Sequence, residues 1–249
     1  MKECAFCPAT ANLTAEHIIS EWIEDLFPGK STVKYKDGRG RIVEWDTEKI
    51  DWKARVVCAS CNNGWMSDIE AQHAKPVLTP LITGQQIGIP ITQETARSIA
   101  IFAFKTAVVM DHAYRRNEEP WFSSRLRYAF RENQSISSGI EMWMCAASGL
   151  RKLISLESGY YSGHLTPTYP IHSYVCTVAI GHFVFQLHSG KHFGYTKLYP
   201  LPDFDAIAVQ FWPRLEEGLV WPFAAHLRGK EDFRRFSMRW RQFGHNLPG

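Results

Sequence analysis

Residues 58–65 of the chain read CASCNNGW, two cysteines separated by two residues and followed at once by two asparagines. A second Cys-x-x-Cys, from Cys4 to Cys7, lies near the start of the sequence. A two-residue gap lets a tight turn aim both thiolates at one ion, and two such turns complete a tetrahedral four-cysteine zinc site. Because Cys4, Cys7, Cys58 and Cys61 supply all four ligands, we expect a structural site without an open position for water.

A redox function of these cysteine pairs is the alternative. A thioredoxin-like Cys-x-x-Cys is expected near a βαβ pattern, and neither pair has that setting. The other cysteines, Cys145 and Cys176, stand alone in apolar segments and are expected to be inert buried thiols. The N-terminus lacks the apolar region of a secretory signal, so we expect a cytoplasmic protein in which paired cysteines bind metal.

The composition is that of a globular protein, with 249 residues, 45% of them hydrophobic and 21% charged. A formal charge of +3 is too small to indicate a nucleic-acid partner by itself. The charge is uneven, however: residues 1–90 hold 10 Lys/Arg and 12 Asp/Glu, whereas residues 91–249 hold 18 and 13. The most apolar stretch, AIFAFKTAVVM, is short and contains Lys105, so no membrane span is predicted.

Sequence patterns divide the chain into a small module of residues 1–76, which holds both cysteine pairs, and a larger domain of residues 77–249. The larger domain begins with a helix predicted over 94–114, within the stretch 91–116. The apolar residues of this helix lie on nearly every face. Such a helix is expected to be buried, with Thr92 as its N-cap. The other elements predicted for this domain are antiparallel strands between about 138 and 212 and a basic C-terminal helix over 228–244. The predicted fold class is α+β.

Three elements are predicted in the small module. The apolar spacing of EHIISEWIEDLF predicts a short amphipathic helix over 16–27. The alternation in VKYKDGRGRIVEW predicts a hairpin over 33–45, with residues 37–38 in its turn. A further helix is predicted over 62–74, because Pro76 would end it.

An acid–histidine pair lies between the two cysteine pairs, where Glu16 and His17 are followed by two aliphatic residues. The order of these motifs, with an asparagine immediately after the last cysteine, resembles the HNH endonucleases, zinc-stapled members of the ββα-metal fold. The resemblance covers about residues 4–74, under a third of the chain. The sequence also resembles an uncharacterised bacterial group of HNH-type proteins with an additional C-terminal domain that begins with a long buried helix.

The resemblance implies a metal-dependent endonuclease that hydrolyses phosphodiester bonds in DNA, with RNA as the alternative substrate. It implies that Glu16 and Asn62 hold one divalent cation, Mg²⁺ or Mn²⁺, and that His17 is the general base. An imidazole with a pKa near 6.5 is a competent base at neutral pH. Carboxylate and amide oxygens are hard ligands that suit Mg²⁺. The resemblance also implies a role in bacterial defence against phage or mobile DNA, since HNH proteins commonly have such roles.

Two positions depart from the family pattern. The acid is more usually Asp, and Glu16 is one methylene longer. The asparagine that orients the base usually lies five residues before the third cysteine, and Lys53 occupies that position here. Some other group must therefore orient His17, or the chain is a non-catalytic zinc-knuckle module that binds nucleic acid or protein. If the helix that follows Cys61 is rotated by one residue relative to the expected phase, Asn63 is the metal ligand in place of Asn62.

Basic residues on the predicted hairpin, beside it and on the C-terminal helix are candidates for contact with a phosphate backbone. For the C-terminal helix, a solvated face with no partner is the alternative. The candidate nucleic-acid-binding residues are Lys34, Lys36, Arg39, Arg41, Lys53, Arg234, Arg235 and Arg239. The larger domain is expected to recognise a partner protein or to mediate homo-oligomer assembly.

A group of histidines between residues 164 and 192 raises the question of a second metal site. Their spacings match no ligand pattern, and no carboxylate accompanies them. We therefore expect scattered strand and turn histidines. The residues are His164, His172, His182, His188 and His192.

Overall fold

A computed structural model describes residues 3–27, 31–36, 42–48, 52–84, 88–114, 119–149, 153–166, 169–192, 202–215 and 217–240. Its strands are β1 Leu13–His17, β2 Ser31–Lys36, β3 Ile42–Thr47, β4 Lys53–Cys58, β5 Ile89–Pro90, β6 Ile140–Ser148, β7 Leu153–Thr166, β8 Tyr169–Ile180, β9 Phe183–His192, β10 Val209–Trp212, β11 Val220–Trp221 and β12 Leu227–Arg228. Its α-helices are α1 Glu21–Glu24, α2 Ala59–Cys61, α3 Ser67–Ile69, α4 Lys75–Thr83, α5 Gln93–Tyr114, α6 Ser124–Asn133 and α7 Gly229–Ser237. The chain is therefore α+β, as the sequence predicts.

Eight of the described strands form one mixed sheet, in the order β10-β6-β9-β8-β7-β2-β3 with β12 beside β6. The strands β6 to β9 pair antiparallel and are rich in β-branched and aromatic residues, as predicted for this part of the chain. The predicted hairpin is present as β2 and β3, although its turn lies outside the described residues. The hairpin also joins the large sheet, because β2 pairs in parallel with β7.

The helix α5 is buried, which confirms the prediction for this stretch. The Thr95 backbone N–H donates to Thr92 Oγ1 at 3.1 Å, so Thr92 is the N-cap. One face of α5 meets the large sheet, where the Phe102 ring lies 6.3 Å from the Phe185 ring. In the described part of the chain, no helix has the length and apolarity needed to cross a membrane.

The prediction of a helix over 16–27 is wrong for its first residues. Glu16 and His17 belong to β1, which pairs antiparallel with β4, and the Ile18 backbone N–H continues this pairing to the Trp52 carbonyl at 2.9 Å. Only Glu21–Glu24 are helical. The apolar spacing was compatible with either structure, and pairing with a distant strand decided between them.

A helical run with a kink at Gly64, whose backbone angles are not helical, follows β4 and reaches Thr83, so the prediction that Pro76 would end the helix is also wrong. Pro76 lies in the first turn of α4, where the missing N–H of a proline is tolerated. The run ends at Gly84, which has a left-handed φ of 64°. Its parts are α2, a π-helical turn Asn62–Met66, α3, a second π-helical turn Glu70–Ala74, and α4.

The main hydrophobic core contains residues from both sides of position 76. Phe6 and Trp65 come from the first part of the chain and Phe130 from α6, and the Trp65 ring lies 5.1 Å from Phe6 and 5.7 Å from Phe130. Trp65 is thus a packing residue. The division at residue 76 stays a prediction.

A second hydrophobic cluster lies beneath α7 on the large sheet. Phe233, Phe236 and Trp240 are buried there, so an aromatic stripe docks the C-terminal segment on the sheet. The Trp240 ring lies 5.3 Å from the Trp143 ring of β6. The helix α7 itself ends at Ser237, and the predicted extension beyond residue 240 lies outside the described residues.

Candidate functional site

The two cysteine pairs come together at one point. All four sulfur atoms lie within 4.8 Å of one another, and all four residues are buried. The closest approach described between the two pairs is 3.6 Å, from Cys7 Sγ to Cys58 Sγ. Cys4 and Cys7 come from the first loop, and Cys58 and Cys61 come from the end of β4 and from α2. This cluster could hold a metal ion such as zinc.

Local hydrogen bonds favour the thiolate form of Cys4, whereas burial raises the pKa of Cys7 and the hydrogen bond with Cys4 raises the pKa of Cys61. The Phe6 and Cys58 backbone N–H groups donate to Cys4 Sγ at 3.5 Å and 3.3 Å. A hydrogen bond with the Cys61 thiol, helped by these two N–H groups, outweighs burial and lowers the pKa of Cys4 to about 4. The donor set therefore fits a zinc ion in both chemistry and spacing.

An arginine of α6 braces the first cysteine loop, a contact that the sequence analysis missed. Arg127 Nη1 donates to the Ala5 carbonyl, and also to the Cys4 carbonyl at 3.5 Å. Its Nε donates to the Phe122 carbonyl at 2.9 Å. Burial lowers the pKa of this guanidinium, although nearby acids oppose the shift. A basic residue in an amphipathic helix carries no sequence signal that would distinguish this role from a solvated one.

The acid–histidine pair lies on β1, opposite β4. Glu16 is the register partner of Ala54, and His17 is the register partner of Lys53. Glu16 is 5% exposed, whereas His17 is half-buried and Lys53 is exposed. Register partners project their side chains to the same face of a strand pair. The lysine that replaces the usual asparagine is thus the cross-strand neighbour of the predicted base.

Glu16 contacts a lysine that the sequence analysis did not assign to the site. Lys105 of α5 is fully buried, and its Nζ lies 3.1 Å from Glu16 Oε1. The same ammonium pairs with Glu70, in the second π-helical turn, and Ser20 Oγ donates to Glu70 Oε1 at 2.6 Å. Two carboxylates and one ammonium therefore form a largely buried ionic cluster, which includes the acid of the acid–histidine pair.

The charges of this cluster stabilise one another. Burial alone would lower the pKa of Lys105, but the carboxylates of Glu70 and Glu16 outweigh it and raise that pKa above its ordinary value. Burial alone would raise the pKa of Glu70, but Lys105 and the Ser20 hydroxyl outweigh it, with a smaller contribution from His17. The net effect is a pKa for Glu70 below its ordinary value, so the pair is charged at neutral pH.

The asparagines after Cys61 have different positions. Asn62 is half-buried, and its Nδ2 donates to Thr14 Oγ1 at 3.0 Å. Thr14 Oγ1 in turn donates to the Val57 carbonyl at 3.0 Å, so Asn62 is tied to β1 two residues before Glu16. Asn63 is exposed. The geometry thus favours Asn62 over Asn63 as the asparagine that faces β1.

The oxygen donors of Glu16 and Asn62 fit a divalent cation by their chemistry. The charge of Glu16 is already paired with Lys105, however. A cation at this carboxylate would therefore have to compete with an ammonium.

Comparisons of the chain with protein-family models, with curated proteins and with solved structures found no match.

The candidate nucleic-acid contacts near the acid–histidine pair are only partly described. Lys34 is half-buried in β2, and Lys53 is exposed. The side chain of Lys36 and the whole of Arg39 and Arg41 lie outside the described residues. Lys53 is therefore the candidate whose position next to His17 can be assessed.

The candidate nucleic-acid-binding arginines on and after α7 are either paired with an acid or buried. Arg234 and Arg235 are each 53% exposed, but Arg234 pairs with Glu231 at 2.8 Å and Arg235 pairs with Asp203 at 3.3 Å. Arg239 is 1% exposed, in contrast to the expectation that it contacts a phosphate backbone.

The burial of Arg239 has a clear physical cause. Its guanidinium carbon lies 4.9 Å from the Trp143 ring centre and 4.5 Å from that of Phe236, and its Nε donates to Gln186 Oε1 at 2.7 Å. Burial lowers its pKa to about 10. Arginine stacks readily on aromatic faces, so the stripe that docks α7 also covers this side chain.

The unpaired cysteines are fully buried. Burial raises the pKa of Cys145, and it raises that of Cys176 to about 12. Both thiols are therefore protonated at neutral pH, in keeping with the expected inert role.

The described histidines of the 164–192 segment are dispersed. His188 stacks on Trp240 at 3.7 Å, His182 Nδ1 lies 2.9 Å from the Ala147 carbonyl oxygen, and His172 is exposed. The side chains of His164 and His192 lie outside the described residues. Within the described ranges, the four cysteines are the one group of three or more metal-binding side chains that lie close together.

Proposed function

We propose that the chain is a metal-dependent endonuclease of HNH type that hydrolyses phosphodiester bonds in DNA. The observation that carries this proposal is the path of the chain around the cysteine cluster. The strands β1 and β4 pair antiparallel, and a helical run follows directly. Glu16 and His17 lie on the first strand, and Asn62 on the first turn of the helical run bonds back to that strand. This is the order of elements expected of a ββα-metal module.

In this proposal the four cysteines bind zinc and have a structural role. They join the first loop to the junction of β4 and α2, directly before Asn62. With four thiolate ligands the ion has no open position for water, so it takes no part in hydrolysis.

His17 would accept a proton from the attacking water at an imidazole nitrogen, as a general base does near neutral pH. Lys53, its cross-strand neighbour, would hold a phosphate oxygen beside it by charge. Glu16 and Asn62 would hold Mg²⁺ or Mn²⁺. When bound, that cation would stabilise negative charge on the phosphate and on the leaving oxygen.

Plasmid cleavage tests the role of His17. We expect the zinc-loaded protein to nick or linearise supercoiled plasmid in the presence of Mg²⁺ or Mn²⁺. We expect His17→Ala to reduce the rate by about 10²- to 10⁴-fold, because removal of a positioned general base has that effect. The matched control is His226→Ala, which removes a half-buried histidine from a loop of the C-terminal part.

Equal rates for the wild type and His17→Ala would contradict the assigned role of His17. Cleavage of single-stranded RNA but not of plasmid would change the substrate class and keep the mechanism. An inactive wild type that still retains DNA would favour the binding module described below.

Lys53→Ala should weaken DNA binding in a salt-dependent way. An exposed lysine that neutralises one phosphate contributes about one unit to the slope of log K against log salt. We therefore expect that slope to fall by about one, as measured by fluorescence anisotropy over a salt series. Arg97→Ala is the control, because Arg97 is an exposed cation of α5 that is not among the candidate contacts, and an equal change in both variants would contradict a special role for Lys53.

A non-catalytic zinc-knuckle module is the second candidate function. Two observations favour it: Glu16 is paired with a buried ammonium, and Lys53 stands where the family has the asparagine that orients the base. In that case the wild type should bind nucleic acid or protein without cleavage in any divalent metal.

A further inference from the structure

A lysine of the larger predicted domain neutralises the carboxylate that the proposed function assigns to the catalytic cation. Lys105 is fully buried on α5, and its Nζ lies 3.1 Å from Glu16 Oε1. Its nearest neighbours along the helix are apolar or small, so the side chain is the one cation that α5 presents at this point in the described structure. A buried ion pair is weak evidence for a purely stabilising role, because well-packed apolar residues often do as well.

Charge balance explains how this ammonium and a divalent cation would compete. With Glu16 and Glu70 ionised and Lys105 protonated, the cluster carries a net charge of −1. A divalent cation that displaces the ammonium from Glu16 while Lys105 keeps Glu70 would change the net charge of the cluster to +1. If both were present, a cation on the same oxygen would lie within about 5 Å of the ammonium, since Mg²⁺–oxygen distances are about 2.1 Å and the ammonium is 3.1 Å away. Two like charges at that separation in a buried site repel strongly.

Glu70 gives the ammonium a second anchor. It pairs with the same Nζ and accepts a hydrogen bond from Ser20 Oγ at 2.6 Å, so it is held in place independently of Glu16. Lys105 can therefore leave Glu16 without becoming an unpaired buried charge.

We propose that Lys105 is an internal competitor of the divalent cation: its ammonium pairs with both Glu16 and Glu70 in the metal-free chain and must give up Glu16 before the cation binds there. This inference rests on the proposed function, because it takes Glu16 as a ligand of the catalytic cation. It makes metal loading dependent on α5, a helix whose Phe104 packs against Phe122 and Phe130. Any partner that shifts this packing would change the affinity of the site for metal.

Manganese binding by the zinc-loaded protein tests the proposal without reference to cleavage. Free Mn²⁺ is measured by electron paramagnetic resonance as it is titrated into the wild type, Lys105→Met, Lys105→Gln and Arg97→Met. We expect the dissociation constant for Mn²⁺ to fall at least about tenfold in both Lys105 variants, because the competing charge is gone. Arg97→Met removes an exposed cation from the same helix and should leave it unchanged. The double variant Glu16→Gln/Lys105→Met should lose the gain.

Thermal melting in Mn²⁺ covers the case in which the Lys105 variants are unstable. If the two carboxylates take the cation in place of the ammonium, Mn²⁺ should raise the melting temperature of Lys105→Met far more than that of the wild type. A Lys105→Met protein that stays unfolded at every Mn²⁺ concentration would overturn the proposal. So would folded Lys105 variants whose Mn²⁺ affinity lies within twofold of the wild type.

The outcomes for Lys105 and for the nuclease are separable. Tighter Mn²⁺ binding without any cleavage supports the competitor and removes the endonuclease proposal. Cleavage that depends on His17, together with unchanged Mn²⁺ affinity in the Lys105 variants, supports the endonuclease and removes the competitor.

Discussion

Removal of the metal ion from the four-cysteine cluster should unfold at least the first part of the chain. Structural zinc contributes about 10–16 kcal/mol of apparent binding free energy in small zinc modules, whereas a whole domain is stable by about 5–15 kcal/mol. All four sulfur atoms lie within 4.8 Å, so without an ion the buried thiols would be left with weak mutual hydrogen bonds. We expect close to one zinc per chain by mass spectrometry, and a large fall in melting temperature after chelation.

The loss should not stay local, because the cluster is joined to the rest of the fold. Arg127 of α6 donates to the Cys4 and Ala5 carbonyls, and the Phe6 ring packs on Trp65 and Phe130. If the first loop opens, these contacts are lost together. Chelation should therefore expose apolar surface in the larger domain as well, which a dye that binds such surface would report.

The matched variants for this prediction are Cys61→Ala and Cys145→Ala. Both remove a buried thiol of the same size, but only the first belongs to the cluster. We expect Cys61→Ala to lose the zinc and to melt like the chelated wild type, and Cys145→Ala to keep both. A chelated wild type that melts within about 2 °C of the zinc-loaded protein would show that the cluster holds no ion of structural importance, since about 1 kcal/mol already moves the melting temperature by 2–4 °C at this chain length.

The features predicted well from the sequence depend on strong, local signals. The Cys-x-x-Cys spacing predicted the cluster because the geometry of a tight turn is encoded within four residues. The helix α5 was predicted because its apolar residues cover nearly every face over a long stretch, which few other structures allow. The hairpin of β2 and β3 was predicted from alternation and turn residues.

The features that were missed depend on distant pairings. The residues around Glu16 and His17 have a spacing compatible with a helix, and only the pairing of β1 with β4 makes them a strand. Glu70 resembles any polar residue on a helix until Lys105 is placed beside it. A weak signal did exist: a single lysine inside a buried apolar helix requires a carboxylate partner. The sequence does not say which of its 25 acidic residues that partner is.

Glu70→Gln should lower the free energy of unfolding by about 3 kcal/mol at neutral pH. This value is near the lower end of the cost of breaking a buried ion pair, because Glu16 remains as a partner of Lys105. The effect should depend on pH. The pKa of Glu70 lies below its ordinary value of 4.5 in the folded chain, so its carboxylate contributes stability that is fully present above pH 4.5. That contribution is lost as the pH falls through the lower folded value.

The difference in unfolding free energy between the wild type and Glu70→Gln should therefore persist from about pH 5.5 to 8 and should shrink below pH 4.5. The raised pKa of Lys105 does not interfere in this range, because its contribution is fully present below 10.5 and is lost only above it. Urea denaturation over a pH series measures the difference, with the exposed Glu132→Gln as a control that should change stability little. A difference that is equally large at pH 3 would mean that Glu70 acts through packing or neutral hydrogen bonds, and the charge of the cluster would then be incidental. In that case its competition with a cation would lose its physical basis, since an uncharged Glu70 could not keep the ammonium paired once it leaves Glu16.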